Sequence, residues 1–262
     1  MSKKTIIGIY VDDGASLATI IRSLTQEVHT SYIVRSTIAE HLDEDKFFDD
    51  LAVFVMPGGA DLPYCAKLNG ERNAHLRSWV ENGGVYLGLC AGAYYACSDI
   101  NFHGKDTEIS GRRQLAFLKG TAIGSIQDLA PLYDFTMKSA SIAHIITDTG
   151  QETAAFYHGG PFFEIVPDAK VKVLARYLTV KDNPPAIVEI SVGRGKAILS
   201  GVHPEMSAKE LALQIRSHDN PKLRASYTKL LSDLKTAEPN RRKLWQNLLT
   251  RCGLRLNSDN KI

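Results

Sequence analysis

Apolar runs closed by turn residues alternate with stretches of helical periodicity through the N-terminal part of the chain. Residues 5–11 are apolar and β-branched and stop at Asp12-Asp13-Gly14, which predicts a strand. Residues 15–28 carry Leu17, Ile20, Ile21 and Leu24 at the spacing of one helix face. Residues 31–35 predict a second strand, and Thr37 with Glu40 has the spacing of a capping box for a short helix. Leu51–Met56 predicts a third strand, ended by Pro57-Gly58-Gly59. Residues 71–82 predict a helix stopped by Gly83-Gly84. Val85–Leu89 predicts a fourth strand, and residues 91–97 a helix that starts directly after it.

The pattern weakens over residues 99–182. Residues 111–113 read as a loop, and 121–126, 140–146, 153–157 and 171–177 as short strands. His158-Gly159-Gly160-Pro161 is a loop between two of them. Residues 186–192 and 197–202 are clearer: two apolar strands joined by the turn sequence Gly193-Arg194-Gly195-Lys196, hence a β-hairpin. The second runs straight into His203-Pro204-Glu205. The tail, residues 208–255, is polar and helical, with a loop at 216–222 and a final helix at 240–251 that stops at Gly253.

Strands alternating with helices imply an α/β fold: a mostly parallel sheet with helices on both faces and right-handed crossovers. In such sheets ligands bind at the carboxyl ends of the strands. Residues 10–14, 57–60 and 89–92 all fall at such ends, and their coincidence directs attention to the chemistry they carry.

Gly88-Leu89-Cys90-Ala91-Gly92 has a nucleophile between small residues at a strand-to-helix junction. Small neighbours let strand and helix approach while the side chain projects above the sheet edge. Helical N–H groups near the sulfur favour thiolate. The competing reading is a core cysteine between two packing glycines.

A thiol nucleophile needs a base, and the base needs an orienting group. His203 and Glu205 lie two apart in an extended segment, so they face the same side. Glu205 is placed to hold one imidazole nitrogen while the other faces Cys90. The competing reading is a surface His-Pro-Glu turn. His103, His144 and His158 are second-choice bases, with His158 first because Gly159-Gly160 follows it. His29, His41, His75 and His218 lack such a setting.

Acyl transfer develops negative charge on a carbonyl oxygen, and losing one N–H donor to it costs ~3 kcal/mol. The N–H of Ala91 and those of Gly58 and Gly59 are the candidate oxyanion hole; a simple Pro-Gly-Gly turn is the alternative. Tyr10, Asp12, Asp13, His158 and Gly159, at strand ends or in loops, are candidate substrate-binding residues.

Size and composition narrow the class. The chain has 262 residues, enough for a single large domain with residues 206–262 as a helical tail packed on it. A formal charge of +2 gives no warrant for nucleic-acid binding. The first apolar stretch is cut off at once by two aspartates, which fits a buried strand rather than a signal peptide. No run reaches the ~18–20 apolar residues of a membrane helix, so a cytoplasmic protein is expected. Cys65, Cys90, Cys97 and Cys252 form no CxxC and no zinc spacing, so neither disulfide nor metal is expected.

Met56-Pro57-Gly58-Gly59, the Cys90 pentapeptide and the hairpin leading into His203-Pro204-Glu205 together resemble class I glutamine amidotransferase domains. The resemblance implies a flavodoxin-like sheet and a Cys–His–Glu triad, and the chain order and the His-x-Glu spacing match. Within that superfamily the sequence is most similar to the N-terminal domain of eukaryotic-type biotin–protein ligases, and to stand-alone proteins built from it. Residues 10–16, 88–95, 158–162, 200–205 and 241–254 carry that likeness, which spans essentially the whole chain. Tyr94 stands where glutamine amidotransferases usually carry Gln, so glutamine is not carried over as the substrate. The Gly/Arg-rich biotinyl-adenylate loop of a ligase catalytic domain has no counterpart here.

The expected function is that of a cysteine-nucleophile hydrolase or amidotransferase-like enzyme acting on an amide or related carbonyl. The alternative is a non-catalytic ligand-binding or regulatory module of the biotin–protein ligase N-terminal type. Biotin or lipoyl ligation is a third reading and rests on family analogy. A small-molecule or amide substrate is the expected partner, without cofactor, nucleic acid or membrane. The sequence does not fix an oligomeric state.

Overall fold

The computed structural model describes residues 4–44, 46–167, 170–217 and 227–257. Five strands lie side by side and parallel in the order β2 (Ile33–Thr37), β1 (Ile6–Tyr10), β3 (Leu51–Met56), β4 (Val85–Leu89) and β13 (Gly195–Ser200). This is the flavodoxin-like order, with β13 in the place of the fifth strand. The sheet continues antiparallel through β12 (Pro185–Val192), β11 (Val171–Tyr177), β8 (Ser141–Thr147) and β9 (Glu152–Tyr157). In the nine-stranded whole, β12 and β8 run opposite to the other seven.

Alternation along the central strands explains the two covered faces. Ile7, Ile9, Val53, Val55, Leu87 and Leu89 point one way. There they meet Ile20 and Leu24 of α1 (Ala18–Glu27) and Leu244, Trp245 and Leu248 of the long C-terminal helix, α6 (Thr228–Arg251). Tyr10, Phe54, Met56 and Tyr86 point the other way. They meet α2 (Asp61–Leu68), α3 (Glu71–Glu81) and α4 (Ala91–Tyr95) through Tyr64, Trp79 and Tyr95. A smaller cluster joins α5 (Ala208–Arg216) to Phe156, Met206 and Leu234.

A second sheet was not anticipated. It has the order β10 (Phe162–Ile165), β7 (Leu118–Gly124), β5 (Cys97–His103) and β6 (Glu108–Arg112). The expected loop at 111–113 overlaps the end of β6, where Gly111 adopts φ 118°. The helix expected over 91–97 ends at Tyr95, because Cys97 already begins β5.

Other boundaries also shift. Thr37 ends β2 buried and forms no capping box; the Ile38 N–H donates instead to His41 Nδ1 at 3.2 Å. Helix α2 was not foreseen. Helix α6 begins twelve residues before position 240 and runs through Pro239, then stops at Gly253 with φ 80°. The hairpin matches expectation, with Val192 opposite Gly195. The loop expected at 216–222 falls partly outside the described residues, and His218 falls wholly outside them. No helix among the described residues is long and apolar enough to cross a membrane.

Candidate active site

Cys90 follows β4 with φ 50° and ψ −106°, a conformation that non-glycine residues rarely adopt and that costs ~1–3 kcal/mol. The flanking glycines make the turn possible. A Cβ on Gly88 would lie 2.5 Å from the Gly92 carbonyl oxygen, and one on Gly92 would collide with the Met56 carbonyl. Cys90 as a whole is 7% exposed.

The parallel register brings the second component alongside. Leu89 pairs with Ser200 of β13, and the Cys90 N–H donates to the Ser200 carbonyl at 2.9 Å. Three residues beyond Ser200, His203 is anchored by its own N–H, which donates to the Phe156 carbonyl of β9 at 2.8 Å. A Cβ placed on Gly58 would sit 2.9 Å from His203 Cε1 and 3.4 Å from Cys90 Cβ. The bare face of Gly58 therefore leaves the space in which the two side chains meet.

His203 Nδ1 lies 2.7 Å from Glu205 Oε1, and Glu205 is buried. Burial by itself would lower the imidazole. The Glu205 carboxylate, together with hydrogen bonds to Cys90 and Glu205, outweighs it and holds His203 well above the ordinary histidine range. Helix α6 braces this segment: the Arg241 guanidinium donates to the Pro204 carbonyl and to Glu238, the latter at 2.6 Å. Sequence reasoning gave Arg241 no role at the site; it entered only as the first residue of the tail segment, 241–254, that carries the family likeness.

The 158–161 loop closes the other side. Its carbonyls are held by three tyrosine hydroxyls: Tyr94 on Gly159 at 3.1 Å, Tyr157 on Gly160 at 3.0 Å and Tyr177 on Pro161 at 2.9 Å. The Cys90 thiol donates to the His158 carbonyl at 3.6 Å. The His158 ring turns away, with Nε2 at 3.0 Å from the Thr136 carbonyl and 3.2 Å from Ser139 Oγ. Burial and the neighbouring His203 push it down to about 4, so it is neutral near pH 7. His103 pairs with exposed Glu108 at 3.4 Å. Of the second-choice bases, only His158 lines the cavity.

Cys90, His203, Glu205, Gly58, Gly59, Ala91, His158 and Gly159 all line one cavity of about 380 Å³. The N–H groups of Gly58, Gly59 and Ala91 meet no carbonyl acceptor among the described residues. Tyr10 and Asp12, expected to bind substrate, do not line this cavity. Tyr10 is fully buried with its ring 5.3 Å from Tyr64, because alternation along β1 turns it into the core. Asp12 shapes the turn after β1, accepting from the N–H groups of Asp13 at 2.9 Å and Ala39 at 3.3 Å. Asp13 is exposed, 3.7 Å from Lys67. Sequence reasoning missed the aromatic wall of Phe102, Tyr133, Phe135 and Phe156, which comes from segments of weak pattern.

Residues 6–262 match the family described as "Biotin-protein ligase, N terminal". The chain is 36% identical over 216 residues to a biotin–protein ligase of Schizosaccharomyces pombe, covering 77% of this chain and 33% of that protein. It is 36% identical over 166 residues to an uncharacterized protein of Chlamydia muridarum, covering 62% of this chain and 63% of that one. The chain thus spans about a third of the yeast relative and under two thirds of the chlamydial one. A solved glutamine amidotransferase from Methylobacillus flagellatus superposes with a TM-score of 0.57 at 13% identity, covering 100% of this chain and 99% of that one. At that identity the likeness concerns the fold.

Proposed function

The chain belongs to the biotin–protein ligase N-terminal family, and from that membership and its site geometry we propose that it is a cysteine-nucleophile hydrolase or amidotransferase-like enzyme. Cys90, His203 and Glu205 act as the triad, and residues 1–262 form one domain with 206–262 as its tail. The single observation that carries this reading is the strained Cys90 beside a buried His203–Glu205 pair at 2.7 Å.

The chemistry follows from the charges. His203, raised by Glu205, stabilises a Cys90 thiolate as its imidazolium partner. The sulfur attacks the carbonyl carbon of a bound amide, and the oxygen takes negative charge beside the N–H groups of Gly58, Gly59 and Ala91. His203 donates its proton to the leaving nitrogen as the C–N bond breaks. The Cys90 thioester then yields to water or another nucleophile activated by neutral His203, which releases the acyl product and restores the thiol.

The ligase activity named for the yeast relative is a property of that protein, two thirds of which lies outside the match. The test for this chain is alkylation of each cysteine against pH, followed by peptide mass spectrometry, in the wild type and in His203→Ala. Fast, His203-dependent reaction at Cys90, with Cys97 and Cys252 slow, is the expected result; burial raises both of those thiols. Equal sluggishness of all four cysteines refutes the enzyme reading and leaves the ligand-binding module.

A further inference from the structure

The wall of the cavity beside Cys90 is a chain of edge-to-face aromatic contacts. Tyr94 lies 5.7 Å from Phe102, Phe102 lies 5.8 Å from Tyr133, and Tyr133 lies 5.0 Å from Phe135. Such contacts stiffen an apolar surface. Ile100 and Ile109 of the second sheet extend it. Phe135, 72% exposed, stands at the mouth.

Charge is accounted for in the same cavity. Its two carboxylates each hold one cationic partner: Asp61 has Arg113 at 2.6 Å, and Glu205 has His203 at 2.7 Å through Oε1, while the buried Oε2 has no hydrogen-bond partner among the described residues. Among the described residues, no lysine or arginine lines it. A free amino acid brings an α-carboxylate and an α-ammonium, and enclosing either without a counter-charge is strongly unfavourable. The volume, about 380 Å³, falls within the range of small-ligand pockets.

Resting on the thiol chemistry proposed above, we infer that the acyl group Cys90 accepts is neutral and apolar: a medium-length alkyl or arylalkyl amide, not a free amino acid such as glutamine. The attack forms the S–C bond and breaks the C–N bond. The amine leaves with the His203 proton, and water returns the carboxylic acid and the thiol.

The test uses p-nitroanilides of acetic, butyric, hexanoic and phenylacetic acids, with γ-glutamyl and succinyl p-nitroanilides as charged counterparts. A buried methylene is worth about fourfold in binding. The value of kcat/KM is therefore expected to climb by about that factor per methylene from acetyl to hexanoyl, and the hexanoyl value to exceed the γ-glutamyl value by at least about tenfold. A flat series, or faster γ-glutamyl cleavage, overturns the inference and leaves the Cys90 chemistry standing. If no anilide turns over, the matching primary amides are titrated calorimetrically into the Cys90→Ala protein. Affinity rising with chain length then supports the apolar site while the catalytic reading falls. Affinity without a gradient overturns the inference. Phe135→Ala, at an exposed position, is expected to reduce the gain at hexanoyl; an unchanged gain also counts against the inference.

Discussion

Glu205→Gln keeps the size of the side chain and removes its charge. In the native site that charge sits 2.7 Å from His203 Nδ1, in a buried setting where water cannot replace it. Burial, the largest influence on His203, lowers its affinity for a proton, and Glu205 is the leading influence that opposes it. Without the carboxylate the imidazolium loses a charge-assisted bond worth about 1.5–3 kcal/mol. The thiolate–imidazolium pair should then fall relative to thiol and imidazole by roughly 10- to 150-fold. The assay is the rate of Cys90 alkylation by iodoacetamide from pH 5 to 9. Glu205→Gln should slow it by that factor at neutral pH and move the rise of the profile to higher pH. Stability gives a second readout. Because the folded protein holds His203 above its ordinary 6.5, the pair contributes fully below pH 6.5, and that contribution is lost as pH rises through the folded value. The variant should lack this decline. A folded Glu205→Gln protein with the wild-type profile would refute the assignment of Glu205 as the orienting group.

Three further outcomes follow from the geometry. Gly92→Ala drives a methyl into the Met56 carbonyl and should lower stability by about 1–3 kcal/mol, read as a lower urea midpoint; an unchanged midpoint contradicts the tight elbow. Tyr94→Phe leaves the buried Gly159 carbonyl without its 3.1 Å donor and should cost about 1–3 kcal/mol in the same measurement. His158 is pushed from 6.5 down to about 4, so its contribution is present above pH 6.5 and is lost as pH falls toward 4. That loss amounts to about 3 kcal/mol, and His158→Gln should flatten stability across this window.

The central strands and the residues at their ends were legible because they obey simple rules. β3 and β4 are buried on both faces and read as continuous apolar runs, and the hairpin announces itself by its glycines. β5 was hidden by an irregularity in its pairing with β7 between Cys97 and Asp99, which breaks the two-residue period. β6 is an edge strand with one apolar side chain, Ile109, and an internal glycine. Pro239 hid the first half of α6, since proline usually ends a helical pattern and here lies inside one. Tyr10 and Asp12 show the limit of reasoning from strand ends. The rule gives the level of a residue along the sheet; alternation along β1 then turns Tyr10 into the core, and Asp12 is held by N–H groups of its own turn and of Ala39.

His203, the base of the proposed triad, follows the strand at which the sheet changes character. β4 and β13 are parallel and in register, so the residues following each emerge at one level, and Cys90 and His203 meet without a long connecting loop. β13 is also the strand at which antiparallel pairing begins, through its hairpin with β12. That pairing carries the sheet round to β9, whose Phe156 carbonyl holds the His203 backbone while its ring lies 5.9 Å from the imidazole. From the far side α6 fixes Pro204 through Arg241, and Arg241 is held in turn by Glu238. The histidine is thus fixed by three elements separated in sequence, while the cysteine is fixed by one strained turn. A nucleophile needs only to project, whereas a base must keep one nitrogen on its carboxylate and the other toward the sulfur, and that orientation calls for more support.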